Sequence, residues 1–225
     1  MTKRNLYDQL YQEFAEIADF PREKANALFA ALPPYSRDMA AAIDGIPTEE
    51  GEDHSAAKAW MALTLSVFIQ DDLERNRSFS PGEAVLYGDY LFALTFSLLP
   101  KELTAEETQK LTDRLIGFNE NRQRRIGKAK EISNAKEDYG NFLAEIAKTA
   151  AEKAGWSESR LTSYAKAAEN LGILWGCRCE DINIPGETAA ALCEEIEAAL
   201  ALLPPKAAED FMEIYTPYRK LRSNH

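Results

Sequence analysis

Apolar residues recur along this chain at three- and four-residue spacing, and no stretch keeps the alternation of period two that a half-buried strand requires. Ala, Leu, Glu and Lys are abundant throughout, so the pattern predicts an all-α fold, one bundle of about 8–10 helices. Leu6, Leu10, Phe14 and Ile17 mark a first helix, and Pro21 suits the first position of a second that ends before Pro33-Pro34. A third covers Arg37 to Ile43. The stretch from Gly45 to Asp53 (GIPTEEGED) has no periodicity and reads as a loop. The run Ala59 to Ile69 (AWMALTLSVFI) predicts a buried core helix, because it is shorter than the roughly 20 residues that cross a bilayer and contains Thr64 and Ser66.

Two helix starts are marked by capping boxes. Ser80-Pro-Gly-Glu83 places a capping serine, a proline at the first helical position and an acid three residues on, and Thr104-Ala-Glu-Glu107 repeats the arrangement. Further helices are predicted from about Asn134 to Ala154 and from Ser157 to about Asn183, where Pro185-Gly186 stops the second. Two more flank Pro204-Pro205. No internal repeat or linker interrupts the pattern, so residues 1–225 are treated as a single domain.

Charge narrows the classes of partner. With 26 basic and 37 acidic residues the formal net charge is −11, which argues against nucleic acid or an anionic membrane as the main partner. Three cysteines, Cys177, Cys179 and Cys193, form no disulfide framework and suit a reducing compartment. The first residues, MTKRNLYDQLYQEF, lack the apolar core of a signal peptide, and a cytoplasmic protein is expected.

Candidate chemistry is acidic. Asp71-Asp72 follow the apolar run in VFIQDDLERNR, near the negative end of a helix dipole, where Mg²⁺ shared with a diphosphate would offset the cost of adjacent carboxylates. The alternative is a solvated surface in which Asp71 pairs with Arg75 one turn on. Glu180 and Asp181, in LGILWGCRCEDINIP, form a second acidic pair near the end of another apolar helix. Cys177 and Cys179 are two apart on that helix and point to different sides, which favours core thiols over a zinc site. Two histidines, His54 and His225, leave little material for histidine catalysis. Lys148, in AEIAKTAAEK, sits at a core boundary where it meets either a phosphate or its neighbours Glu152 and Glu145. The run Arg122, Arg124, Arg125, Lys128 and Lys130 reads as a solvated face or a surface for an anionic ligand or acidic partner.

Taken in order, these segments resemble the trans-prenyl diphosphate synthases, all-helical enzymes that join isopentenyl diphosphate to an allylic diphosphate through magnesium held by two aspartate-rich motifs. The resemblance runs from about Trp60 to Asn183. It is carried by Asp71-Asp72, by AVLYGDYLFALTFSLLP (Ala84 to Pro100), by FNENRQ (Phe118 to Gln123), by DYGNFLAEIAKTA (Asp138 to Ala150) and by LGILWGCRCEDINI from Leu171. It implies metal ligation by Asp71 and Asp72, with a second, weaker site at Glu180 and Asp181. It further implies diphosphate contacts from Lys148, Thr149 and Gln123, with Arg75 and Arg77 as substitutes for a missing arginine pair, and a groove or interface formed by Tyr87, Tyr90, Leu91, Leu94 and Phe96.

The departures fall on the metal ligands. Arg75 stands where the first motif has its third aspartate, and a cation there lowers the affinity for Mg²⁺. In the second motif, Cys179 and Glu180 stand where two aspartates belong, or, shifted by one residue, Glu180, Asp181 and Ile184 do. Ionisation of the allylic diphosphate depends on a magnesium clamp. The resemblance therefore implies an accessory, non-catalytic subunit of a heteromeric medium- or long-chain synthase of the hexaprenyl or heptaprenyl kind, serving quinone side chains. Such a subunit completes a dimer with a catalytic partner and helps set product length. Two alternatives stay open: an active, magnesium-dependent enzyme using Asp71, Asp72, Glu180 and Asp181, alone or as a homodimer, and a helical binding protein that kept the scaffold.

Overall fold

The computed structural model describes residues 39–47, 55–75, 80–98, 104–125 and 128–219, and among these every regular element is helical. The helices expected over residues 6–17 and 21–33, and most of the loop up to Asp53, lie outside the described residues. The contacts divide the chain into two units, residues 1–101 and 102–225.

In the first unit, α1 (Met39–Gly45), α2 (Ser55–Arg75) and α3 (Pro81–Leu98) pack in sequence order, α2 against both neighbours. The predicted core run lies inside α2: Ala59, Trp60, Met61, Ala62, Leu63, Leu65 and Ile69 are all buried. Its two hydroxyls are satisfied by backbone carbonyls, Thr64 Oγ1 donating to Trp60 O at 2.8 Å and Ser66 Oγ to Gly88 O at 3.0 Å. The second bond crosses to α3 and identifies its inward stripe, Ala84, Gly88, Leu91 and Thr95, at helical spacing. Small residues on that stripe let the two backbones come close. The α3 capping box forms as predicted: Ser80 N–H donates to Glu83 Oε2 at 3.0 Å and Glu83 N–H to Ser80 Oγ at 3.4 Å.

The second unit is built around one helix. In order come α4 (Ala105–Arg125), α5 (Ile132–Ala135), a π turn (Lys136–Gly140), α6 (Asn141–Lys153), α7 (Glu158–Cys179), α8 (Gly186–Leu200) and α9 (Pro205–Arg219). Every residue from Asn170 to Cys177 is buried, as expected of a helix covered on all sides, and α5, the π turn, α6, α8 and α9 all pack on α7. The covering helices are amphipathic instead. Leu143, Ile146, Ala147, Ala150 and Ala151 form the buried stripe of α6.

Two features depart from the predicted elements. The helix expected from Asn134 to Ala154 is interrupted by the π turn, whose Tyr139 and Gly140 are buried against α7. A Cβ on Gly172 would lie 2.5 Å from Tyr139 O, and one on Gly176 would lie 2.5 Å from the Tyr139 ring, so both glycines are required by close approach. The helix expected to reach Asn183 stops at Cys179. Asp181 takes φ +54°, and Ile182 N–H reaches back to Cys177 O at 2.8 Å, the six-to-one bond of a Schellman turn with aspartate in the place glycine usually takes. Ile182 also packs against the cluster of Ala135, Ile173 and Cys177, the apolar contact that accompanies this motif.

Candidate functional site

The residues expected to carry chemistry divide between the two units, and each unit presents its own arrangement. In the first, Asp71, Asp72 and Arg75 occupy the last part of α2, and their side chains lie outside the described residues, as does Arg77 altogether. Beside them in sequence, α3 shows two faces. Leu91, expected in a groove or interface, is buried on the stripe that meets α2. Tyr87 and Leu94 are half-buried, while Tyr90 and Phe96 are exposed. Val85 and Leu86 also lie exposed on the same helix, Leu86 at 67%, although nothing in their spacing sets them apart in the sequence. Phe92 meets Phe96 edge to face with 5.2 Å between ring centroids. The result is an outer face that carries exposed apolar side chains beside the exposed Asp89, on a helix whose inner face is already used.

In the second unit the described members of the basic run, Arg124, Lys128 and Lys130, are exposed, and each has acids nearby. Arg124 pairs with Glu120 at 2.9 Å within α4, and Lys130 reaches across fifty residues of sequence to Glu180 at 2.8 Å. Arg124 and Lys128 line a cavity of about 390 Å³ with Asn121, Asn134, Glu131 and Glu137, so its two cations face two carboxylates. The side chains of Gln123, Arg122 and Arg125 lie outside the described residues. Lys148 is half-exposed on α6 and stands 3.9 Å from Glu152 Oε1, the neighbour expected from i,i+4 spacing; Thr149 is half-buried beside it.

At the end of α7, Glu180 and Asp181 part company. Glu180 is the C-cap residue, and its side chain is 17% exposed. Its Oε1 accepts from the Tyr139 hydroxyl at 2.8 Å, and its Oε2 accepts from Lys130 Nζ, which also donates to the Glu180 carbonyl at 3.2 Å. Tyr139 is fixed in turn by Gly176 and by Trp175, whose ring lies 5.1 Å away at 75°. Asp181 is exposed on the Schellman turn. Tyr139 and Lys130 were missed as partners of Glu180, although the Gly172–Gly176 spacing on an apolar helix signals the close approach that brings Tyr139 in. The thiols of Cys177, Cys179 and Cys193 are buried, and burial pushes Cys177 up to about 11, which makes it a core thiol and no nucleophile. Among the described residues no group of three or more His, Cys, Asp and Glu side chains is arranged to hold a metal ion.

Farther along α7, the face turned to α8 carries a charged network. Asn170 Nδ2 donates to Glu195 Oε2 at 2.8 Å, Lys166 Nζ bridges Glu169 (3.1 Å) and Glu195 (3.2 Å), and Lys136 adds a pair to Glu169 at 3.2 Å. It joins α7 to α8 and to the π turn. Its cations, Lys166 and Lys136, are about half exposed, and its carboxylates are paired within the chain.

No family model matches the sequence, and no curated protein matches it. Solved structures do. A chain of the mint heterotetrameric geranyl pyrophosphate synthase, a deletion mutant in complex with ligands, superposes with a TM-score of 0.64 at 16% identity, covering 94% of this chain and 99% of that one. The geranyl diphosphate synthase small subunit from Antirrhinum majus gives 0.67 at 15% identity, covering 95% and 97%. At such identities the likeness is one of fold: the chain has the all-α isoprenoid-synthase fold that its sequence resemblance led us to expect. No helix among the described residues is long and apolar enough to cross a membrane.

Proposed function

We propose that this chain is an accessory, non-catalytic subunit of a heteromeric trans-prenyl diphosphate synthase. The observation that carries the reading is the full-length likeness to a protein named as a synthase small subunit, with little of either chain left over. The replaced ligands in both acidic motifs support it, because a chain with Arg75 in place of the third aspartate and an incomplete second motif is poorly equipped to ionise a diphosphate. The outer face of α3 supports it as well. Val85, Leu86, Tyr90 and Phe96 give the apolar centre that a stable subunit interface is built on. The partner is a chain with both aspartate-rich motifs intact, the ligands are prenyl diphosphates, and the product is of medium or long chain, with this subunit helping to set its length. Any magnesium held by this chain would sit at Asp71 and Asp72.

The test is incorporation of labelled isopentenyl diphosphate into a farnesyl primer with magnesium, by the chain alone and by the complex it recovers from its native lysate. Activity is expected in the complex only, with product length read by chromatography. Leu86→Glu should weaken assembly by about 30-fold, since a buried leucine contributes about 2 kcal/mol. Turnover by the lone chain, abolished by Asp72→Ala, would overturn the accessory role in favour of an active enzyme with altered ligands.

A further inference from the structure

We propose that the end of α7, where the family resemblance puts a second acidic metal site, is closed to divalent cations because the chain supplies its own cation there, the Lys130 ammonium. Glu180 is then a positioning residue that ties the segment before α5 and the π turn to the central helix. The inference concerns this chain's own residues and stands whether or not the chain has a partner subunit.

Charge and geometry carry it together. A helix C-terminus has the equivalent of about half a negative charge, and a carboxylate placed on it is unfavourable unless a cation is near. Lys130 Nζ answers both sources of negative charge at once, at 2.8 Å from the carboxylate and 3.2 Å from the Glu180 carbonyl. The remaining carboxylate oxygen takes the Tyr139 hydroxyl at 2.8 Å, and Tyr139 cannot easily move away because its ring fills the space left by Gly176. Magnesium demands near-ideal octahedral geometry and gives up its waters reluctantly. To bind Glu180 it would have to displace a charge-assisted hydrogen bond and approach an ammonium. Asp181 offers no second ligand held in place, because it belongs to a turn at φ +54° and is exposed. The two acids that look like a pair in the sequence thus do different work: one is bonded inward and the other completes a helix stop.

Mn²⁺ serves as the probe, with free ion counted by its paramagnetic resonance during titration of the full-length chain, alongside thermal unfolding without metal. Glu180→Gln should leave the Mn²⁺ isotherm within twofold of wild type while lowering Tm by about 2–4 °C. Lys130→Met should lower Tm similarly, and the double variant should lose less than the sum of the two, as contacting residues do. A fall of more than twofold in Mn²⁺ affinity on Glu180→Gln would overturn the proposal, and so would an unchanged Tm in both single variants. If Glu180→Gln does not fold, Asp181→Asn decides the metal question by the same twofold criterion, and Tyr139→Phe replaces it in the unfolding series.

Discussion

Gly172→Ala tests the contact on which the second unit turns. A methyl group at that position would meet three backbone atoms of the π turn, Tyr139 O at 2.5 Å and both Gly140 Cα and Tyr139 C at 2.8 Å. Backbone on both sides leaves no side chain to swing aside, so the clash belongs at the upper end of the 1–3 kcal/mol typical of overpacking, about 3 kcal/mol. Against it stands the gain of about 1 kcal/mol that alanine brings over glycine in a helix. The net loss is about 2 kcal/mol, which for a chain of this size lowers Tm by about 4–8 °C. Gly117→Ala is the matched control: it lies inside α4, and a Cβ there would meet no atom of the described residues within 4 Å. It should raise Tm by about 2–4 °C. The assay is thermal unfolding followed by helical circular dichroism. If Gly172→Ala were as stable as wild type, or moved with Gly117→Ala, the close seating of the π turn on α7 would be refuted, and with it the fixing of Tyr139.

Two further outcomes follow from the same unit. Asp181→Gly removes an L-residue from φ +54° and should stabilise the chain by about 1 kcal/mol in urea titration, whereas loss of stability would mean that the aspartate side chain is needed at the turn. Acid should weaken the network on α7. Burial alone would raise the Glu169 carboxyl, but hydrogen bonds and charge from Lys166 and Lys136 outweigh it and hold the carboxyl below its ordinary 4.5; the Asn170 amide and Lys166 lower Glu195 in the same sense. A carboxylate lowered in the folded state contributes stability above its unfolded value and loses it as pH falls through the folded one. Stability should therefore decline as acid protonates these carboxylates, and Glu169→Gln, costing about 1 kcal/mol near pH 7, should converge on wild type as pH falls through the folded-state value of Glu169; a difference that stays constant through the acid titration would count against the assignment.

What the sequence discloses of the fold is whatever is local. The α3 start was legible because Ser80 and Glu83 bond each other across three residues, and α4 begins at Ala105, directly after Thr104. The stop of α6 is legible near Ala154, where Gly155 at φ +69° and the Trp156 N–H to Ala151 O bond end it. The sequence pattern runs past the end of α7 because its left-handed residue is an aspartate, and Pro185-Gly186 is the louder signal a few residues on. The π turn has no local mark. Its seat on α7 depends on Gly172 and Gly176, where a Cβ would run into Tyr139, and those positions lie thirty and more residues away.

The site was legible in its residue types and hidden in its pairings. Adjacent acids invite a metal, since two carboxylates at the end of a helix need positive charge from somewhere. Sequence spacing tells which neighbours stand one turn away, and on that ground it foresaw the Lys148–Glu152 pair. It cannot tell that a lysine fifty residues upstream, counted among five basic residues on a presumed surface, arrives at the helix end first. With Lys130 there, the charge on Glu180 is met by the chain itself, so the adjacency of Glu180 and Asp181 in the sequence is not by itself an argument for a metal.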